Sequence, residues 1–386
     1  MPRYEFDRAP SRLDTGSTKW SRYPADVLPM WIADMDFSVA PEIVSALQRR
    51  LEHPVFGYAI ARTELREEIV RDLAERFGWT IRPDDIVFLP GVEPGFNMAL
   101  KSRLKPGDKV LIQTPIYRPI LDAPAHWELE ALTVPMVRAE AGYRPDRGAL
   151  AAGLAQARAF LLCNPHNPTG HVYSREDLAF IAAECEARDV LIVSDEIHCD
   201  LVFAGREHIP IASLAPAVAD RTITLMSASK TYNIPGLKTS FAVITNPALR
   251  SAFAGARSGM VDSVNLFGLE ATLAAYRDAG AWRNALLGYL QSNRDHLEQE
   301  IERLIPGIRY HPPEASFLAW LDCSALGIAG SPQSFFLRQA KVGLYAGEVF
   351  GAEYGAFVRL NFGCTRAVLS DAIERMAGAL AGRAQP

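Results

Sequence analysis

The sequence has no long hydrophobic run, no basic run and no closely spaced pair of cysteines. No apolar stretch reaches the roughly 20 residues that span a bilayer, and the N-terminus lacks the apolar core of a signal peptide, so we expect a cytoplasmic protein without a membrane partner. A formal net charge of −5 without a basic cluster argues against nucleic-acid binding. The five cysteines are odd in number and scattered, which predicts reduced packing residues rather than disulfides or a metal site.

Strand-like and helical stretches alternate from about residue 83 to 250, after an extended arm and two helices. This alternation predicts an α/β fold with a doubly wound sheet. A helical stretch at residues 282–304 then leads to a smaller unit. We therefore expect an arm, a large domain and a small domain, at residues 1–40, 41–289 and 290–386. The arm should pack beside the small domain, and the glycine-rich residues 343–355 should form a mobile loop near the substrate.

Lys230 lies in a polar, glycine-containing segment, residues 226–238, directly after an apolar strand-like stretch. A lysine becomes a nucleophile where its surroundings lower its pKa, and its most common covalent use is a Schiff base with a carbonyl cofactor such as pyridoxal phosphate. The neighbouring Ser227 and Ser229 would then be phosphate ligands. Taken alone, the segment fits a surface lysine in a polar turn equally well.

Two further apolar runs, within residues 158–170 and 189–200, lead into polar side chains. Each run is short and uninterrupted, as parallel strands covered on both faces are. Ligands of open α/β sheets lie outside the carboxyl ends of the strands, so three side chains should share one crevice with Lys230: Asn167, Asp195 and His198. Taken singly, a tight turn and a helix cap would also explain the asparagine and the aspartate.

The order Asn167, Asp195, Lys230, with serines around the lysine, resembles the class I and II aminotransferase family over nearly the whole chain. The resemblance implies a fold-type I pyridoxal-phosphate enzyme, with a mostly parallel seven-stranded doubly wound sheet and a smaller α/β C-terminal domain. His198 resembles the carbon–sulfur β-lyase branch, which includes bacterial cystathionine β-lyases and cystalysin-type enzymes, because aspartate aminotransferases usually carry tyrosine there. Three segments share that likeness: residues 31–37, 194–201 and 357–362.

The resemblance implies contacts with the cofactor ring for several of these residues. Asp195 would keep the pyridine nitrogen protonated, so that the ring accepts electrons. Asn167 would donate to the phenolate oxygen of the ring, and Tyr117 would stack on the ring. His198 would lie near the same edge, although a lone histidine is often a structural residue instead.

A second strand-to-helix junction is expected to bind the cofactor phosphate. Gly91 would permit a tight turn there, and Pro94 suits the first turn of a helix whose free N–H groups face an anion, so Val92 and Glu93 would contribute backbone amides. Because a phosphate would repel the Glu93 carboxylate, we expect that side chain to face away. Ser227, Ser229 and Lys238 would complete the phosphate site. The alternative for Lys238 is a solvated surface lysine.

Arg359 lies on an apolar strand-like segment, where an unpaired charge would be costly, so an anion should meet it. The resemblance places the arginine that binds the substrate α-carboxylate at this position, and a structural salt bridge is the alternative. It also places Ala33, Tyr117 and Asn167 beside the substrate. Tyr58 matches a tyrosine that reaches the phosphate of the neighbouring subunit across a homodimer interface.

The predicted reaction is α,β-elimination from an amino acid, with cystathionine or another cysteine S-conjugate as the small-molecule substrate. Lys230, displaced by the substrate amine, would remove the Cα proton, and a thiolate would leave Cβ, giving thiol, pyruvate and ammonia. An aminotransferase shares every step through Cα deprotonation, so the catalytic residues leave that alternative open. A pyridoxal-phosphate-binding regulatory module that contacts other proteins is a further alternative.

Overall fold

The computed structural model describes residues 4–139 and 142–383. The N-terminal part is largely extended before residue 40, and its regular elements are α1 (Thr18–Ser21), β1 (Leu28–Pro29), α2 (Pro41–Leu51) and α3 (Thr63–Phe77). The helix α2 begins at a proline, whose fixed φ suits the first helical position. The helix α3 ends at Gly78, which takes the left-handed conformation with a φ of 61°.

A seven-stranded sheet forms the centre of the larger part of the chain. Its strands are β2 (Ile86–Leu89), β3 (Lys109–Thr114), β4 (Glu130–Pro135), β7 (Ala159–Cys163), β8 (Leu191–Asp195), β9 (Thr222–Met226) and β10 (Ser240–Val243). Two further strands, β5 (Val137–Ala139) and β6 (Gly142–Arg144), pair separately with each other. The spatial order is β2-β10-β9-β8-β7-β3-β4, and β10 alone runs antiparallel to its neighbours in this sheet. The predicted mostly parallel seven-stranded sheet is confirmed.

Helices cover both faces of this sheet: α4 (Val92–Arg103), α5 (Arg118–Asp122), α6 (Arg147–Leu154), α7 (Arg175–Ala187), α8 (Pro216–Ala219), α9 (Pro247–Gly255) and α10 (Leu266–Asp278). Successive residues of a strand point to opposite faces, so Ile112 joins the apolar core with α4 and α9. Its neighbour Leu111 joins the core with α6 and α7. This division explains why the central strands are apolar throughout.

The helix α11 (Gly280–Leu304) leads into a smaller α/β unit: β11 (Arg309–Tyr310), β12 (Leu318–Asp322), α12 (Pro332–Phe335), β13 (Val342–Gly343), β14 (Tyr345–Ala346), β15 (Phe357–Asn361) and α13 (Arg366–Ala381). Four of its strands form an antiparallel sheet in the order β11-β12-β15-β14. The arm reaches this unit, because β1 pairs in parallel with β13. The domain boundaries at residues 40 and 289 stay a prediction.

The expected mobile loop at residues 343–355 is instead a folded segment. It contains β14 and two short 3₁₀ turns, and Phe350 is almost completely buried. The rings of Phe350 and Tyr354 pack edge-to-face on Trp320, with centroid distances of 5.2 and 5.9 Å. The glycines therefore serve close packing here: a Cβ at Gly347 would lie only 2.2 Å from the carbonyl oxygen of Tyr354.

The described part of the chain contains no helix that is both long and apolar enough to cross a membrane. Its histidine, cysteine and carboxylate side chains form no group of three that could hold a metal ion. All five cysteines are buried and free.

Residues 31–37 of the arm are fixed by a buried ion pair. The Lys19 side chain is completely buried, and its amine lies 2.8 Å from the Asp36 carboxylate. Arg12 contacts the same carboxylate at 3.0 Å, and Trp20 Nε1 donates to it at 2.9 Å. Because the Asp36 carboxylate is paired with Lys19, Arg12 and Trp20, these charges can be buried, and the contacts fix the backbone conformation of the arm.

We expect Lys19→Met to lower the free energy of unfolding by about 3 kcal/mol, since it leaves Asp36 buried with one cation fewer. The matched control is Lys341→Met, which removes an exposed lysine that pairs with Asp26 at 3.3 Å, and should cost less than about 1 kcal/mol. Urea unfolding at one protein concentration measures both. Equal losses for the two variants would contradict the structural role of the buried pair.

Candidate active site

A cavity of about 550 Å³ lies where the carboxyl ends of β7 and β8 meet the arm and β15. Parallel strands end at the same edge of a sheet, which explains why residues distant in sequence meet here. Most of the predicted site residues line it: Ala33, Gly91, Val92, Glu93, Tyr117, Asn167, Asp195, His198, Ser229, Lys230, Lys238 and Arg359. Ser227 and Tyr58 are not part of its wall.

A serine holds the turn that carries Lys230. The Ser227 hydroxyl accepts a hydrogen bond from the backbone N–H of Ser229 at 3.1 Å. It also donates to the carbonyl oxygen of Thr239 at 2.8 Å. The turn after β9 is thereby tied to the residue that precedes β10, which fixes the backbone on which Lys230 stands.

The Lys230 amine points at the arm and donates to the carbonyl oxygen of Ala33 at 2.7 Å. Burial, together with the positive charge of Arg359, lowers the pKa of Lys230 to about 8. At pH 7 about a tenth of such an amine is neutral, against about one in three thousand for a lysine of ordinary pKa. The site therefore keeps a usable amount of the nucleophilic form.

Asp195 is the last residue of β8 and is buried. One carboxylate oxygen accepts a hydrogen bond from the backbone N–H of Ile197 at 3.2 Å. Burial raises the pKa of Asp195 to about 7, although that hydrogen bond and the charge of Lys230 act in the opposite direction. No described lysine, arginine or histidine forms an ion pair with it, so the carboxylate is poised to meet a cation from outside the chain.

Arg359 is 2% exposed, and two aromatic rings lie beside its guanidinium. The rings of Tyr345 and Phe350 each lie 4.9 Å from its Cζ atom. Its two terminal nitrogens donate to the side-chain oxygen of Asn167 at 2.9 Å and to the carbonyl oxygen of Trp31 at 3.0 Å. Burial lowers the pKa of Arg359 to about 10.

No carboxylate among the described residues pairs with Arg359, and its Nε is buried without a hydrogen-bond partner. A buried cation without a counterion is costly. The structural salt bridge, the alternative for this residue, is therefore not formed within the described chain. The arrangement suits an anion that enters the cavity.

His198 and Tyr117 both keep their uncharged forms at neutral pH. Burial and the charge of Lys230 lower the pKa of His198 to about 3, and its Nδ1 is buried without a partner. The half-buried Tyr117 stands at the start of α5, and burial together with the Glu93 charge raises its pKa to about 12. Both side chains can therefore serve as neutral hydrogen-bonding groups beside a ligand.

The start of α4 presents free backbone N–H groups to the cavity wall at Val92 and Glu93. Only Pro90 and Gly91 connect β2 to α4, so the chain turns within two residues here. The φ of Gly91, 173°, is extended backbone that any residue adopts. A Cβ there would lie 3.3 Å from the ring of Pro94. The exposed Glu93 lines the same cavity as Tyr117, and its charge raises the pKa of that tyrosine. That its side chain faces away from a bound phosphate stays a prediction.

Two asparagines that sequence reasoning missed clamp the arm against the cavity. The Asn233 side chain accepts from the N–H of Met35 and donates to the carbonyl oxygens of Met35 and Phe37, at 2.9 to 3.0 Å. From the other side, the Asn361 amide donates to the carbonyl oxygens of Ile32 and Asp34 at 2.6 and 2.7 Å. Asn361 lies two residues after Arg359 on β15, and this strand period could have signalled a shared face.

Trp31 and Tyr345 also line the cavity and were not predicted as site residues. Lys238 lines the wall as an exposed residue in the left-handed conformation, with a φ of 49°. Tyr58 is fully exposed, and it belongs to a stretch with other exposed apolar side chains: Val55, Phe56 and Ile60. Such a patch is typical of a surface that another protein chain covers.

Comparison with known proteins places this fold and cavity in a family. The sequence profile described as "Aminotransferase class I and II" matches residues 25–376. The chain is 36% identical over 385 residues to cystathionine beta-lyase PatB of Bacillus subtilis (strain 168), covering 97% of this chain and 99% of PatB.

Two solved structures have closely similar folds. The crystal structure of OvoB superposes with a TM-score of 0.94 at 42% identity, covering 99% of this chain and 100% of OvoB. Cystalysin from Treponema denticola, whose structure contains pyridoxal 5'-phosphate, gives a TM-score of 0.94 at 29% identity, covering 98% of this chain and 99% of cystalysin. The chain therefore belongs to the class I and II aminotransferase family of fold-type I pyridoxal-phosphate enzymes, which includes carbon–sulfur lyases.

Proposed function

We propose that the protein is a pyridoxal-phosphate-dependent carbon–sulfur β-lyase that cleaves cystathionine or another cysteine S-conjugate to thiol, pyruvate and ammonia. The observation that carries the proposal is the position of the Lys230 amine in one cavity with Asp195 and Arg359, neither of which has an ion-pair partner among the described residues. The likeness to a cystathionine β-lyase over nearly the whole chain favours elimination.

The residues present fit the cofactor. Asp195, a buried carboxylate without an ion-pair partner among the described residues, suits the cationic ring nitrogen. His198 Nδ1 is a buried polar atom that still lacks a partner, and Tyr117 offers an aromatic face. When bound, pyridoxal phosphate accepts the electrons left at Cα after proton removal.

The phosphate is proposed to lie at the start of α4, where the free N–H groups of Val92 and Glu93 and the helix dipole favour an anion. Gly91, Ser229 and Lys238 line the same cavity. Ser227, which holds the turn in the structure, is proposed to contribute its hydroxyl as well. Tyr58 is proposed to reach the phosphate of a second copy in a homodimer, and its full exposure is consistent with that role.

Lys230 is proposed to hold the cofactor covalently and then to act as the general base. Its lowered pKa makes proton acceptance from Cα feasible near neutral pH. The carbonyl of Ala33, which accepts the lysine hydrogen bond, limits where the amine can move. The base is thereby kept at the cavity wall beside the bound substrate.

Arg359 is proposed to bind the α-carboxylate of the substrate. Its guanidinium is already desolvated and is oriented by Asn167 and Trp31. The binding of an anion therefore costs little further side-chain entropy. Asn167 thereby links the arginine to the proposed cofactor contact. An aminotransferase would use the same residues, and the two reactions differ in their products.

We expect the purified protein with L-cystathionine to release pyruvate, ammonia and a free thiol in equal amounts. Elimination breaks the Cα–H and Cβ–S bonds, and water then releases ammonia, so all three products must rise together. Coupled pyruvate and thiol assays measure this, with Lys230→Ala as the inactive control. Amino-group transfer to an added keto acid without thiol release would contradict the lyase proposal and support the aminotransferase. A protein inert towards amino acids would support a regulatory module.

The lowered pKa of Lys230 predicts a pH dependence of cofactor uptake. Only the neutral amine attacks an aldehyde, so the rate at which cofactor-free protein gains visible absorbance should rise about tenfold per pH unit up to about pH 8 and then level off. Reaction of the same aldehyde with Nα-acetyl-lysine is the control for changes in the aldehyde itself. A rate that keeps rising to pH 10 would show that the amine keeps its ordinary pKa.

A further inference from the structure

One charged group of the cavity has no role in the proposed mechanism. Lys230, Asp195 and Lys238 are assigned to the cofactor, and Arg359 to the substrate α-carboxylate. Glu93 also lines the cavity, and only its backbone N–H has been used. A carboxylate beside a helix start that binds phosphate weakens the attraction for phosphate, and the proposed mechanism gives this side chain no role.

Glu93 lines the same cavity as Tyr117 and Arg359. The Glu93 charge raises the pKa of Tyr117 and the Arg359 charge lowers it, so both charges lie within electrostatic range of that phenol. The carboxylate is exposed and forms no ion pair with any residue that the structure describes. An amino acid whose α-carboxylate meets Arg359 would therefore share one cavity with Glu93.

We propose that Glu93 determines substrate specificity by pairing with a cationic group on the sulfur substituent. The preferred S-conjugates then carry an ammonium or another protonated nitrogen beyond the sulfur. This inference rests on the proposed function, because it names the substrate class of the same site. A purely structural Glu93, stabilising the first turn of α4, would instead affect all substrates equally.

Equilibrium binding tests the inference without turnover. L-lysine, L-norleucine and L-2-aminoadipate have similar chain lengths, carry a cationic, neutral or anionic end, and have no leaving group on Cβ. Calorimetry should give the wild-type holoenzyme a dissociation constant for lysine about tenfold below that for norleucine, and a weaker one for aminoadipate. Equal affinities of the wild type for all three would overturn the proposal, whatever the variants do.

Variants identify the residue responsible. Glu93→Gln should bring the dissociation constants for lysine and norleucine together, whereas Glu93→Asp should retain part of the preference. Glu67→Gln makes the same charge change at an exposed position of α3, outside the cavity wall, and should alter nothing. A lysine preference that survives in Glu93→Gln would overturn the assignment, provided that its visible spectrum matches the wild type.

Cleavage assays separate this inference from the proposed function. S-(2-aminoethyl)-L-cysteine, S-propyl-L-cysteine and S-carboxymethyl-L-cysteine have the same three kinds of end, and each could lose a thiol. We expect kcat/KM to be about tenfold higher for the aminoethyl compound than for the propyl compound, and the difference to vanish in Glu93→Gln. Thiol release at equal kcat/KM would overturn the specificity and keep the lyase. Selective binding without thiol release would overturn the lyase and keep the role of Glu93.

Discussion

The site depends on burying two cations, Lys230 and Arg359, beside a single stretch of backbone. The carbonyl oxygen of Ala33 accepts from the lysine, and the carbonyl oxygen of Trp31 accepts from the arginine. Neither cation has a carboxylate ion-pair partner within the described residues. The fixed carbonyl oxygens lower the cost of keeping these cations away from water. As a result the same cavity holds a lysine of lowered pKa and an arginine without a bound anion.

The arm is therefore part of the wall of the cavity rather than a terminal extension. Asn233, three residues after Lys230, and Asn361, two residues after Arg359, hold its backbone from opposite sides. Lys19 and Asp36 also fix the arm through a buried ion pair. The two cations and the segment that satisfies them are thus built as one unit, which links the large sheet to the smaller one.

The sequence revealed those parts of the site that follow from local pattern. Asn167, Asp195 and Lys230 each follow an apolar run, and the common edge of a parallel sheet brings such positions together. The contact of Arg359 with Asn167 could not be predicted from local sequence patterns, because it depends on how the two sheets pack together. The folded course of residues 343–355 was also missed, since their glycines permit close packing as well as flexibility.

The account requires one covalent bond, between Lys230 and pyridoxal phosphate, and borohydride reduction followed by mass mapping of peptides tests it directly. The account predicts a stable pyridoxyl adduct on Lys230 and none on Lys238, although both residues line the cavity. An adduct on Lys238, or none after incubation with the cofactor, would contradict the account.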